Sequence, residues 1–123
     1  MGQGATMTVA NRTNSSITLA ISGINCMHDK GAQGSNLQLF NGATIGSGQS
    51  LPSTGSGQYI EAEDSGSCFF EQSNFTLGAQ GIGSVQIVEN EAAHSSGSNS
   101  NPTAIQVDIV QSGDIYVIQI NIV

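Results

Sequence analysis

An all-β fold, an antiparallel two-sheet β-sandwich of about 8–10 strands, is what the sequence predicts, and three observations carry it. Apolar residues recur with period two in nearly every run. Clusters of Gly, Ser and Asn punctuate the chain between those runs. No stretch sustains the 3.6-residue period of an amphipathic helix. A small closed barrel is the rival architecture.

Taken in order, Met7 and Val9 share one face of a short first strand. Ile17, Leu19 and Ile21 alternate with Thr18, Ala20 and Ser22 in the second. Successive strand side chains point to opposite faces, so such a run has one buried face and one wetter face. Leu37 and Leu39 mark a further strand, and Asn41-Gly42 after it predicts a type I′ hairpin turn, because that turn needs positive φ. Tyr59-Ile60-Glu61-Ala62, Ser67-Cys68-Phe69-Phe70, Phe75-Thr76-Leu77 and Val85-Gln86-Ile87 supply the middle strands. Ile105, Val107 and Ile109 alternate with Gln106 and Asp108. Tyr116, Ile118, Ile120 and Ile122 alternate with Val117, Gln119 and Asn121. These residues are largely β-branched or aromatic, the types that suit a pleated surface. The one helical candidate, Glu89 to His94, is too short to hold by itself. Connections this short exclude βαβ crossovers and imply antiparallel pairing. The expected core is Ile17, Leu19, Ile21, Leu39, Phe75, Val85, Ile87, Ile105, Val107, Ile109, Ile118 and Ile120. Gly46 to Gly57 and Ala93 to Pro102 read as low-complexity polar loops.

The 123 residues make one domain, 1–123, large enough for a real core. Only 9% are charged, against about 25% in ordinary globular chains. Net charge is −7, and Arg12 and Lys30 are the only strong cations. Two cations cannot build a phosphate-binding patch, so nucleic acid is excluded as a partner and anionic membranes are disfavoured. Met1 to Thr6 is short and polar, with no apolar signal core, and no run is long enough to span a bilayer. The expectation is a cytoplasmic protein or one exported by a non-classical route. Gly2 with Thr6 fits a myristoylation pattern, and three N-x-S/T sequons begin at Asn11, Asn14 and Asn74. A single acyl chain without a basic patch anchors poorly, so Met1 to Thr6 reads as a flexible start, and in a chain this rich in Asn, Ser and Thr chance accounts for the sequons.

Cys26 and Cys68 are the two cysteines, and their spacing excludes a CxxC zinc site. Two separate buried or edge thiols are expected, with a Cys26–Cys68 disulfide as the alternative in an oxidising compartment. His28 and His94 are expected on exposed loops. Glu61, Glu63 and Asp64, then Glu89 and Glu91 with His94, form two clusters that read as a solvated acidic rim. They are too few for a calcium cage of about six to eight oxygens. A glycosidase pair would want stacking aromatics, and Trp is absent. No G-x-S-x-G elbow, P-loop lysine or HExxH motif occurs. The sequence therefore predicts no catalytic residue, no metal, no cofactor and no enzymatic activity; ligand-binding residues stay unassigned.

The order of turns and strands resembles the aegerolysin family, small acidic β-sandwich proteins of fungi and bacteria. The resemblance rests on Val9-Ala10-Asn11-Arg12-Thr13 leading into Ile17-Thr18-Leu19, and on Ile45-Gly46-Ser47-Gly48 through Tyr59-Ile60-Glu61-Ala62. Ser65-Gly66-Ser67-Cys68, Ser73-Asn74-Phe75-Thr76-Leu77, and Glu89-Asn90 with Ser96-Gly97-Ser98-Asn99 continue it. It implies a lectin-like, lipid-binding protein that recognises a membrane lipid or glycan surface, as the small component of a toxin pair with a larger pore-forming partner. With Trp absent, no lipid-contact residue carries over. The alternative is a structural β-subunit that self-assembles as a homo-oligomer, filament or surface layer. It draws on the uncharged C-terminal run Ile115 to Val123, which at a sheet edge would invite strand addition. The competing expectation is that this run is internal, with Ile118, Ile120 and Ile122 facing the core.

Overall fold

The computed structural model describes residues 4–28, 35–63, 65–69, 71–89 and 94–123. Among them eleven strands form two sheets, the sandwich that the alternation predicts. The strands are β1 (Gly4–Asn11), β2 (Ile17–Asn25), β3 (Met27–His28), β4 (Thr44–Ile45), β5 (Ser50–Leu51) and β6 (Gln58–Ala62). β7 (Asn74–Ala79), β8 (Gly83–Glu89), β9 (His94–Asn99), β10 (Ile105–Ser112) and β11 (Ile115–Ile122) follow. The first sheet runs β10-β11-β1-β6-β3, with β5 beside β6 on the same flank of β1. The second runs β4-β2-β7-β8-β9. No helix among the described residues is long and apolar enough to cross a membrane.

One pair departs from antiparallel order. β1 and β11 run parallel, with Ala5 opposite Tyr116 and Asn11 opposite Ile122. The short-connection argument holds for neighbours in sequence, but here the connection is nearly the whole chain. The same pairing settles the place of the C-terminal run. β11 lies between β10 and β1, so it offers no free edge, and the edge on that side is β10.

The core follows the predicted alternation. Ala5, Met7 and Val9 of β1 lie beside Ile118, Ile120 and Ile122 of β11, all fully buried. Leu19, Phe75, Leu77, Val85 and Ile87 oppose them from the second sheet. Val107 and Ile109 share the inner face with Ile120 and Ile118 but are only half-buried, because β10 has a neighbour on one side alone. Leu39 is likewise half-buried, and it is not in a strand: Leu37–Phe40 is a 3₁₀ turn that buries Leu37 and Phe40. The following Asn41-Gly42 does turn the chain, but with Asn41 at φ −75° and ψ 119° and Gly42 at φ 78°, the geometry of a type II turn. The run expected as a strand around Ser67 to Phe70 is instead a 3₁₀ turn at Gly66–Cys68; Phe70 lies outside the described residues.

Asn11 shows how one polar residue closes the fold. It is fully buried, and its Nδ2 donates to the carbonyls of Ser15 at 2.8 Å and Ile45 at 2.9 Å. Its Oδ1 accepts from the backbone N–H of Thr13 at 2.9 Å and from the Thr13 hydroxyl. Every strong hydrogen-bonding site of the amide is used, which offsets the cost of burying it. The end of β1 in one sheet is thereby fastened to β4 in the other and to the turn that crosses to β2.

Candidate functional site

One end of the sandwich collects the chemistry-bearing residues. The register places Asn25 of β2, Asn74 of β7 and Val88 of β8 in one row, and β8 and β9 continue to Glu89 and His94. Glu61 of β6 pairs with Gly4 of β1 and with His28 of β3. The opposite end carries the turn of Arg12, the Gln80–Ile82 turn and Val123.

Cys26 and Cys68 are joined at this end by a disulfide, with Cα atoms 5.6 Å apart, in place of the two separate thiols expected. The sequence gives no hint of this approach. It depends on Cys26 adopting φ 52° where β2 passes into β3, and on the 3₁₀ turn that carries Cys68. Two further bonds fix the same corner. The Glu63 N–H donates to the Cys26 carbonyl at 2.8 Å, and Asn25 Nδ2 donates to the Gln72 carbonyl at 2.6 Å. The tethered turn holds Phe69 outward, 66% exposed. Ile24, just before the bridge on β2, is also exposed. These two apolar side chains therefore project from a corner held by a covalent bond. The expected strand would have half-hidden Phe69; the only sequence cue to the corner is the adjacent cysteine.

The acidic rim expected from the sequence is overturned at its two central members. Glu61 and Glu89 are both buried, as is His94, which sits on edge strand β9 rather than on an exposed loop. His28 is half-buried on β3, and Glu63 is half-buried. Asp64, Glu91 and residues 90–93 of the helical candidate lie outside the described residues. Burial follows from strand parity. Glu89 continues the inward series Val85, Ile87, and His94 is its cross-strand partner. His94 Nε2 lies 3.5 Å from Glu89 Oε1, too long for a well-formed hydrogen bond and close enough for charge attraction. The His94 ring lies against Tyr116 of β11 with centroids 4.4 Å apart. Neither Glu89 oxygen and neither His94 ring nitrogen has a hydrogen-bond partner among the described residues. Burial raises the Glu89 carboxyl above the usual glutamate range; His94 opposes that shift and the Glu61 charge adds to it.

On β6, Ile60 and Ala62 turn into the core, which sends Tyr59 and Glu61 to the other face. Tyr59 Oη donates to Glu61 Oε1 at 2.8 Å. Burial, that bond and the charges of Glu61 and Glu89 push the phenol up to about 12. Gly4 makes room for the ring: a Cβ there would stand 2.5 Å from Tyr59 Oη.

The sequence matches no family model and no curated protein.

No group of three or more His, Cys, Asp or Glu among the described residues could hold a metal ion. A shallow depression of about 390 Å³ opens on the other side of the second sheet, near the opposite end, lined by Thr18, Ala20, Gly78 and Gln80. It contains no titratable group. Chemically, then, this end of the sandwich carries two exposed apolar side chains, Phe69 and Ile24, each close in sequence to a bridged cysteine, and a buried set of ionisable groups.

Proposed function

We propose that this protein is a non-enzymatic binding module that docks on a zwitterionic lipid surface through the disulfide-held corner at Phe69. The observation that carries the reading is the exposure of Phe69 on a covalently tied turn, with Ile24, two residues before the bridged Cys26, exposed as well. An exposed apolar side chain such as Phe can be buried at the headgroup–acyl boundary, as on the apolar face of interfacial segments. Charge selects the type of surface. Net charge is −7, and among the described residues the one strong cation, Arg12, lies at the opposite end. An anionic bilayer would repel such a molecule, whereas a neutral headgroup layer does not. The resemblance to aegerolysins supports the same reading and adds a larger pore-forming partner as the protein that acts next. Sealed carboxylates at Glu61 and Glu89, which no substrate reaches in this conformation, support a binding rather than a catalytic role. Self-assembly through the C-terminal run draws less support: that run, β11, is interior to its sheet, and on β10, the edge beside it, Asp108 stands exposed at the middle, a charge of the kind that deters strand addition.

The test is co-sedimentation with phosphatidylcholine–sphingomyelin vesicles, set beside a glycan array. Wild type is expected to bind the vesicles. Removing two-thirds of a phenylalanine's transfer energy costs about 1–2 kcal/mol, so Phe69→Ser should weaken binding roughly 5- to 30-fold. Vesicle binding that is unchanged in Phe69→Ser, or binding to glycans alone, would refute the lipid reading.

A further inference from the structure

Edge strand β9 has the sequence His94-Ser95-Ser96-Gly97-Ser98-Asn99, and His94 is its one buried side chain. Nothing apolar on the strand secures it to the core. Its hold on the sandwich is the backbone ladder to β8, which is irregular between Val85 and Ile87, together with two side-chain contacts at its ends. At the far end Asn99 Nδ2 donates to the Ile105 carbonyl at 2.9 Å. At the near end His94 faces Glu89 and lies on Tyr116 of the opposite sheet. Both side chains of the pair have no exposed surface.

We propose that Glu89 and His94 form a pH-operated latch on β9, closed while the pair retains a shared proton and released as rising pH removes it. With one proton between them the pair is neutral, either as carboxylic acid and imidazole or as carboxylate and imidazolium. Removing that proton leaves a buried negative charge with no hydrogen-bond donor on either oxygen among the described residues. Such a charge is costly in a protein interior. The surroundings make it costlier. From β6, Glu61 adds a second negative charge and the Tyr59 hydroxyl is already committed to Glu61. From β11, Tyr116 presents its ring to His94. From β3, His28 pairs in register with Glu61 rather than with Glu89. No cation on these elements replaces the lost proton.

The direction agrees with linkage. Burial holds the native Glu89 carboxyl above its ordinary 4.5, so the folded state keeps a proton that the unfolded chain has released. The stability it contributes is complete below that ordinary value and is lost as pH rises through the native one. Release of His94 frees β9 from its near end and uncovers the edge of β8, whose Val85, Ile87 and Val88 are otherwise buried. The device is independent of the lipid reading.

Amide hydrogen exchange resolved by strand, corrected for intrinsic base catalysis, tests it. As pH rises above 4.5, protection of Ser95–Ser98 in wild type should fall at least tenfold relative to Phe75–Leu77 of β7 while β7 stays protected. Glu89→Gln, which cannot ionise, should abolish that difference. Equal pH responses of β9 and β7 in wild type, or an unchanged response in Glu89→Gln, would overturn the latch. Should Glu89→Gln not fold, carboxyl NMR titration of wild type decides. Glu89 ionising in step with the loss of β9 protection supports the proposal, and Glu89 ionising with protection intact refutes it.

Discussion

Replacing both Cys26 and Cys68 with Ser removes a cross-link whose ends are 42 residues apart in sequence. In the chain-entropy account, a loop of that length restricts the unfolded ensemble by about 13 cal/mol/K, or about 4 kcal/mol at 25 °C. That is a large part of a typical total of about 5–15 kcal/mol. At roughly 4 °C per kcal/mol for a chain of this size, the melting temperature should fall by about 15 °C. The native corner should survive, because the Glu63–Cys26 backbone bond and the Asn25–Gln72 bond do not involve sulfur. The assay is equilibrium urea unfolding of wild type and the double Ser variant, with reduced wild type as a control that keeps both cysteines. The m-value should also rise, since an unlinked chain exposes more surface when it unfolds. A loss under about 1 kcal/mol with an unchanged m-value would refute the reasoning: the bridge would then lie across a region already ordered in the unfolded state.

Asn11→Ala strips partners from the carbonyls of Ser15 and Ile45 and from the Thr13 N–H, and should cost about 2–4 kcal/mol of unfolding free energy, measured by urea denaturation. Asn14→Ala, exposed on the same turn, should change stability by under about 0.5 kcal/mol. Deleting Ile118 to Val123 removes three fully buried isoleucines from the middle of a sheet and should leave no cooperative melt; a truncated chain that still melts sharply would place the stability elsewhere. Tyr59 holds its phenolic proton up to about 12, so stability should fall further as pH climbs from 10 through that value. Tyrosinate absorbance should show its late ionisation, and Glu61→Gln should bring it earlier.

The sandwich was legible because backbone alternation is written directly into residue order. Ile17 to Ile21 and Ile118 to Ile122 each alternate and bury the expected face; Ile105 to Ile109 alternates too, but with Val107 and Ile109 only half-buried on an edge strand. Legibility failed where burial is set by partners distant in sequence. Glu89 and His94 look like solvent-facing polar residues, and only strand parity carried past the apolar run, with Tyr116 across the sheets, encloses them. β9 gave no signal at all: Ser95 to Ser98 are exposed and carry nothing apolar, and the strand exists through its ladder to β8. Leu37 and Leu39 have strand spacing, yet a 3₁₀ turn satisfies the same apolar pair while closing the side of the core. The disulfide was underdetermined, because two cysteines state their number and spacing but not the φ that lets them meet.

The parallel pairing of β1 with β11 also sets how the molecule bears tension. Force entering before Gly4 and leaving after Ile122 pulls the two strands along their length in opposite senses. Seven registered residue pairs, from Ala5–Tyr116 to Asn11–Ile122, then share the load in shear instead of parting one after another as a pulled hairpin would. The joint lies in the interior of the sheet, flanked by β10 on one side and by β5 and β6 on the other, so it cannot slip without breaking the core beneath it. Linked in tandem, such units would resist extension most strongly along their strand axis.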